Sequence, residues 1–541
     1  MAELTFTRDE VEAAAKVAPW RLQRTFSAEI DPEDMGETAR VYRQAAGEAG
    51  DTGELAERAT EIAEESGGVD GRTVVDGAER DSRTATELSD DGEEMEQVSR
   101  YLNQAMEVAT ETELEVRSMI EHYLDPRLAE HLAAARAEYV DRTNGYYYVG
   151  GERVTVEYTE EGRPNDPGLA SEIRGKYLRM AADDAEYAHG SISRDIDDYR
   201  SLLTRYGNAL DDLGYDLTAG PLDLWTSPEM ARYAAESLKE TLTLGGDPEM
   251  LDFYARALFS MVGDVVENYG TAGPRQLSDA EGRYLDEFLA TLGADGLAAL
   301  GNVPADELSG ESAMQLARAQ SAVGNGVMML LNHDIRVPDP DAPRLRDAYH
   351  AISPYLSQHE GPLFENDPDS DAFREQLEKY NGFGNLIERS SVPADDGNSR
   401  RMAFVALDVQ ERTSQQYEPD EFLWFDFEPD NVVENTGSAK LLAGAGQNRD
   451  TASDLLSDQA FTRQLFERQW ENSGGVAEFI ERGVHVADPS LDNRVLSRSI
   501  ADNVLAAADE AGDRVQGSGP QAEYGHVDHT ALRDLLDSLR E

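Results

Sequence analysis

The chain contains no cysteine among its 541 residues. Disulfides, thiolate nucleophiles and cysteine-ligated metal sites are therefore excluded. Lysine is almost as scarce, with five among 48 basic residues. No apolar run reaches the roughly eighteen residues a membrane-crossing helix needs, so no membrane span is expected. The longest candidate, VGNGVMMLLN at 323–332, is short and contains glycine and asparagine. The opening residues, MAELTFTRDEVEAAAKVAPW, lack a basic start followed by an apolar stretch. The expected location is cytoplasmic, or secreted without a conventional signal peptide.

What the chain has in excess is acid. With 108 acidic residues against 48 basic ones, the formal net charge is −60, spread along the whole length. Such a field repels phosphate, which argues against nucleic acid and anionic membranes as partners. The same excess fits a salt-adapted proteome, and arginine in place of lysine fits a GC-rich genome. A hydrophobic content of 40% is enough for folded cores.

The hydrophobic spacing predicts a mainly α fold. Helices are expected over 8–24, interrupted at Pro19, over 32–48 with Asp31 as cap, and over 51–66. The polar, broken stretch 67–92 reads as a loop. Apolar residues Met95, Val98, Leu102, Met106, Leu114, Val116, Met119, Ile120, Tyr123 and Leu124, mostly separated by helical steps of three or four, predict a long helix over 92–142. Asp125-Pro126 marks a kink or restart. A second long helix is expected over 168–216.

Between them lies GYYYVGGERVTVEY, 145–158, two β-prone runs around Gly150-Gly151. It reads as a β-hairpin tip joining an antiparallel helical pair. Tyr146, Tyr148, Val154 and Val156 are expected to pack one face onto the helix ends. The alternative is an exposed aromatic partner site at Tyr146 and Tyr148.

After a connection at 216–226 the segments shorten. Helices are expected at 227–243, 248–269, 278–300, 311–332, 341–357, 370–388, 400–414, 450–471 and 474–483. One or two more are expected in 487–510, with a linker at 516–528 and a short final helix. No 34-residue self-similarity of the tetratricopeptide kind is present. The expected domains are 1–215, 216–486 and 487–541.

The motifs that carry chemistry are few. DPDSDAFREQLE, 367–378, sets Asp367, Asp369, Asp371, Glu375 and Glu378 at calcium-loop spacing. Ala372 stands where the turn glycine belongs, so helix capping by Asp369 or Asp371 is the competing reading. His526 and His529 in HVDH have no third ligand and read as solvated tail histidines. His333 in LLNHD reads as a helix-end residue meeting the dipole. Gly324 and Gly326 suit a close helix crossing, not a phosphate loop. No catalytic residue, metal site or cofactor is expected. Among the aromatics, Trp225, Trp470, Trp424 and Phe425 could serve core or contact. The acidic loop WFDFEPDNVVEN makes Trp424 and Phe425 the candidate interaction residues.

Several phrases carry a family resemblance: FYARALFSMVGDVVENYG, FLATLGADGLAALGN, GNGVMMLLNHD, EKYNGFGNLIERSSVP, ENTGSAKLLAGAGQNRDTASDLL and SGGVAEFIERGV. Residues 248–485 resemble the actinobacterial "TPR repeat region-containing" proteins. The first half is similar to the helical hairpins of the Trp-x-Gly superfamily exported by type VII (ESX) secretion. Those often carry a short β-hairpin between two long helices. Trp20 is followed by Arg21-Leu22, so the Trp-x-Gly turn itself is missing. YEPDE, 417–421, matches the loose Tyr-x-x-x-Asp/Glu export signal but sits deep in the second domain.

The resemblance implies a non-enzymatic interaction protein with a helical protein partner, tied to type VII secretion or a polymorphic effector system. A secreted toxin or hydrolase, and a calcium-responsive structural protein, are the alternatives.

Overall fold

A computed structural model describes residues 4–30, parts of 35–46, 71–144, 146–149, 152–155, 167–212, 227–269, 275–337, 342–414, 433–485, 491–512 and 527–540. Residues 306, 307, 309, 358–361 and 369 within these ranges are excepted. The chain divides into two compact units, Met1–Leu224 and Trp225–Glu541.

In the first unit, α1 (Arg8–Ala15) opens with a capping box in which Thr7 and Glu10 satisfy each other's backbone N–H groups. A left-handed Lys16 ends it. Pro19 then begins α2 (Pro19–Glu29), where its missing N–H costs nothing. The first long helix, α3 (Gly71–Ser118), runs through most of the stretch read as a loop at 67–92. Punctuation by single glycines and serines was overridden there by the alanines, glutamates and arginines between them.

A single π-helical turn, Met119–Leu124, joins α3 to α4 (Asp125–Asn144). Asp125 N–H reaches back to the Ile120 carbonyl. Pro126 has no N–H to give His122 and its ring needs room there; the widened turn supplies that room without a break. The return helix is α5 (Pro167–Asp212), packed against α1, α2, α3 and α4. Its buried stripe holds Ile173, Ala181, Ala185, Ala188, Ile192, Ile196, Tyr199 and Leu203. Tyr199 meets Phe26 edge-on at 5.4 Å, which ties α2 to that stripe.

The expected fold class needs correction at the tip. The fold is mainly α-helical and has no β layer. Backbone pairing there is confined to β1 (Tyr146–Val149) and β2 (Glu152–Thr155), four residues a side. The two-residue connection sets Val149 opposite Glu152 and Tyr147 opposite Val154. The expected grouping of Tyr146 and Tyr148 with Val154 is therefore out of register by one. Two strands of this length cannot form a self-supporting face.

The second unit is built from α6 (Pro228–Thr243), α7 (Pro248–Tyr269), α8 (Asp279–Gly301), α9 (Glu311–Leu330), α10 (Leu345–Ile352), α11 (Pro362–Glu365), α12 (Asp371–Glu388), α13 (Asp396–Ser414), α14 (Gly437–Ala445), α15 (Arg449–Ser457), α16 (Gln459–Glu467), α17 (Gly474–Val484), α18 (Leu491–Ala511) and α19 (Thr530–Arg540). Expected and observed ends agree closely for most. The expected helix over 450–471 is two, because Asp458 leaves helical geometry and caps α16 through Ala460 N–H at 2.8 Å. α8 bends at Gly293, whose φ of 68° is open to glycine.

Several helices touch backbone to backbone. A Cβ at Gly301 of α8 would lie 1.8 Å from the Gly382 carbonyl oxygen of α12, and one at Gly324 of α9 2.2 Å from the Leu386 carbonyl. Gly475 of α17 stands equally close to Ala439 of α14. Gly301, Gly324, Gly382 and Gly475, all in the family-like phrases, are thus helix-crossing residues. The helices after 486 pack within this unit, with α18 on α15, α16 and α17, and α19 on α17 and α18.

Candidate functional site

The same phrases also meet through polar side chains. Asn325, buried in α9, accepts at Oδ1 from the backbone N–H groups of Ser391 (2.8 Å) and Val392 (3.0 Å) and from the Ser390 hydroxyl (2.8 Å). Asn332, just past α9, donates to the Pro393 carbonyl at 2.8 Å. Asn398 donates to Leu331 O at 2.9 Å, and Asn448 to Ala394 O at 3.1 Å. Four asparagines thus seam the end of α9, the 390–395 turn and the start of α15. Asparagine suits this work because its short amide donates and accepts at once.

An open cleft of about 550 Å³ lies on this seam, lined by Asn332, His333, Asp334, Asp395, Asp396 and Asn448, among others. His333 is half exposed, with Nδ1 at 3.0 Å from Asp395 Oδ2. Its Nε2 lies 3.5 Å from the Tyr349 hydroxyl, which donates to Leu330 O. A histidine backed by a carboxylate is the geometry of a general base. Here, however, Asp395 also caps α13 by accepting the Asn398 N–H at 2.8 Å. Burial, and after it the Asp286 carboxylate, push the Tyr349 phenol above its ordinary value, so it remains a donor. No serine or threonine hydroxyl bonds to His333 among the described residues. The arrangement works as a joint, and His333, just past the end of α9, is its side-chain clasp.

The first unit holds a second network beside the π turn. Asp184 of α5 accepts from the Tyr123 hydroxyl at 3.2 Å and lies 2.7 Å from Nε2 of the buried His131. Burial, then Asp184, raise the Tyr123 phenol. Trp20 is buried, with its indole N–H on Asp125 at 2.9 Å, so it is a core residue that fastens α2 to α4.

Next to this network two large side chains of α5 are exposed, Met180 and Tyr187. Tyr187 rests against Tyr123, ring centres 5.4 Å apart. Met180 and Tyr187 lie seven residues apart and so share a helix face. Apolar spacing alone does not separate Met180 and Tyr187 from the buried stripe. The signal that distinguishes them is their offset from the alanine-rich stripe Ala181, Ala185, Ala188.

Of the expected interaction residues, Tyr146 and Tyr148 lie in β1, their side chains outside the described residues. Trp424 and Phe425, like Trp225, fall outside them entirely. Trp470 is fully buried and donates its indole N–H to Leu465 O at 2.9 Å. At the calcium-like spacing, Ser370 caps α12, accepting from Phe373 N–H. Asp371 pairs with Arg374 and Glu375 with Lys379, while Asp369 is outside the described residues. Among the described residues no group of three histidines or carboxylates could hold a metal ion, and no helix is long and apolar enough to cross a membrane. His529 is not a solvated tail residue: it is buried and bonded to Trp470.

No family model, curated protein or solved structure matches the chain.

Proposed function

We propose that the protein is a non-catalytic helical interaction protein that binds a partner helix along α5, in a role linked to type VII secretion or a polymorphic effector system. The observation that carries the reading is the exposed pair Met180 and Tyr187, one above the other on a 46-residue helix and flanked by Tyr123. Apolar anchors at seven-residue spacing are what an amphipathic helix needs to dock. The polar constellations fit a scaffold as well: Asp395, Asn325 and Asp184 spend their hydrogen bonds on joining elements. The tie to secretion rests on the resemblance of the helical first half and of residues 248–485.

The test is affinity capture with tagged full-length protein from lysate and culture supernatant of the native host. Wild type is compared with the Met180→Glu, Tyr187→Glu double variant. The expected result is a small helical protein or secretion component held by wild type and lost by the variant. Equal capture by both would refute the α5 surface. Recovery from cytoplasm alone, without such partners, would refute the secretion link.

A further inference from the structure

The C-terminal residues 527–540 are held on the second unit by an unusual fastening. Asp528 exchanges backbone bonds with the facing segment, donating to Trp470 O at 3.3 Å and accepting from Ser473 N–H at 2.9 Å. Ser473 Oγ accepts the Leu532 N–H at 3.3 Å. Leu532 and Leu536 then bury one face of α19 against α17 and α18. The next bond is of a different kind: the Trp470 backbone N–H donates to Nε2 of His529 at 3.0 Å, with both residues buried. An imidazole that accepts at Nε2 must be neutral, with its proton on Nδ1.

We propose that His529 is a proton-operated latch and that residues 527–540 form a strap which acid releases from the second unit. A proton arriving at Nε2 turns the acceptor into a donor aimed at another donor. The buried Trp470 N–H then has no partner in the docked state, whereas the released strap leaves both groups to water. Docking therefore binds the deprotonated histidine. The stability it supplies is present above the ordinary histidine value, about 6.5, and is lost as pH falls below it.

The direction comes from the Trp470 N–H and not from the surrounding charges. On the strap, the Asp528 carboxylate is held below its usual range by the Thr530 N–H and hydroxyl and stays anionic; it favours an imidazolium, but as the neighbour of His529 in sequence it accompanies the ring in the docked and released states alike. Arg533 is the opposing cation. On the facing segment, Glu471 is engaged by the Asn435 N–H. On α17, Glu478 pairs with Arg482, and His485 sits over the Glu481 carbonyl through Nδ1, a bond that protonation preserves. On α18, Asp509 pairs with Arg540 at the strap's exposed far end. This inference concerns the second unit alone and stands apart from the α5 surface.

Because the chain lacks cysteine, a single introduced thiol carries a unique label. A spin label at Ser538→Cys, on the exposed face of α19, reports the strap; one at Gln459→Cys reports α16. Both are read in the full-length protein from pH 8 to about 5 by electron paramagnetic resonance. The expected result is a several-fold rise in the mobile fraction at 538 below about pH 6.5, with 459 unchanged. His529→Gln, whose amide oxygen accepts without titrating, is expected to abolish the rise; His485→Gln and His526→Gln are expected to leave it intact. A strap label that stays immobile across the range, or both labels loosening together, overturns the latch on the wild-type background alone. Persistence of the transition in His529→Gln overturns it equally.

Discussion

Replacing Gly301 by alanine reverses the sign that helix propensity predicts. Within a helix, glycine to alanine stabilises by about 1 kcal/mol. At Gly301 the new methyl carbon would start 1.8 Å from the Gly382 carbonyl oxygen, where real contacts stay beyond 3.0 Å. The α8–α12 crossing must open by the difference, 3.0 − 1.8 = 1.2 Å. Leu297 and Leu300 on one helix and Phe383 and Leu386 on the other are fully buried. A gap of about 1 Å forfeits a quarter to a half of such contacts. At about 2 kcal/mol per side chain that is roughly 2–4 kcal/mol for the four. The opening also stretches Asn302 Nδ2 to Glu378 O and Asn385 Nδ2 to Gly301 O, both now 2.8 Å, worth about 1 kcal/mol each.

Against the propensity gain, the net cost is about 4 kcal/mol. That lowers the melting temperature by about 8 °C, at roughly 2 °C per kcal/mol for a unit of this size. The assay is urea and thermal unfolding of the full chain, with Gly190→Ala as partner. Nothing lies within 4 Å of a Cβ at Gly190, on the exposed face of α5. It should gain about 0.5–1 kcal/mol in the first unit. A Gly301→Ala protein as stable as wild type, or more so, would falsify the close-crossing account.

Two further outcomes follow from buried polar groups. Burial alone would raise the Glu281 carboxyl, but Arg275 and the Ser278 N–H pull it below its ordinary value. A group depressed in the folded state stabilises above its unfolded value, about 4.3, and that stability is lost as pH falls. Glu281→Gln should therefore flatten the acid limb of a melting-temperature profile, and an unchanged limb would count against the pair. Asn325→Ala leaves the buried Val392 N–H and the Ser390 hydroxyl without their shared acceptor. The expected loss is about 2–3 kcal/mol in denaturant titration, and a loss under 1 kcal/mol would show that the seam is not held there.

Local rules carried the reading of this chain far. Three-and-four spacing located most helices, and Pro19 marked an end that the structure keeps. What local rules missed are pairings across long separations. Gly301 and Gly382 look like ordinary weak points in two helices until they are set against each other. His529 looked solvated because its neighbours in sequence are glycine-rich, whereas its partner Trp470 lies 59 residues earlier. Ser370, not the neighbouring Asp371, took the α12 cap, a choice that depends on one turn's geometry. The loop expected at 67–92 erred the other way, since isolated breakers were weighed above the helix formers around them. At the candidate surface, Met180 was visible as an apolar residue in a helix. Its outward direction was legible only relative to the alanines beside it.

The strap bears on how the protein is made. Trp470 and Ser473 take hydrogen-bond partners from residues 528 and 529 of a 541-residue chain. Chains emerge N-terminus first, and domains fold as they are completed. The first unit is synthesised in full while the ribosome is still translating the second. The second unit, by contrast, waits for residues 528–532 before the backbone around Trp470 is closed. A chain broken off before residue 527 would yield a protein whose second unit is unsealed. Quality-control proteases could tell such a product from the finished one by that single open edge.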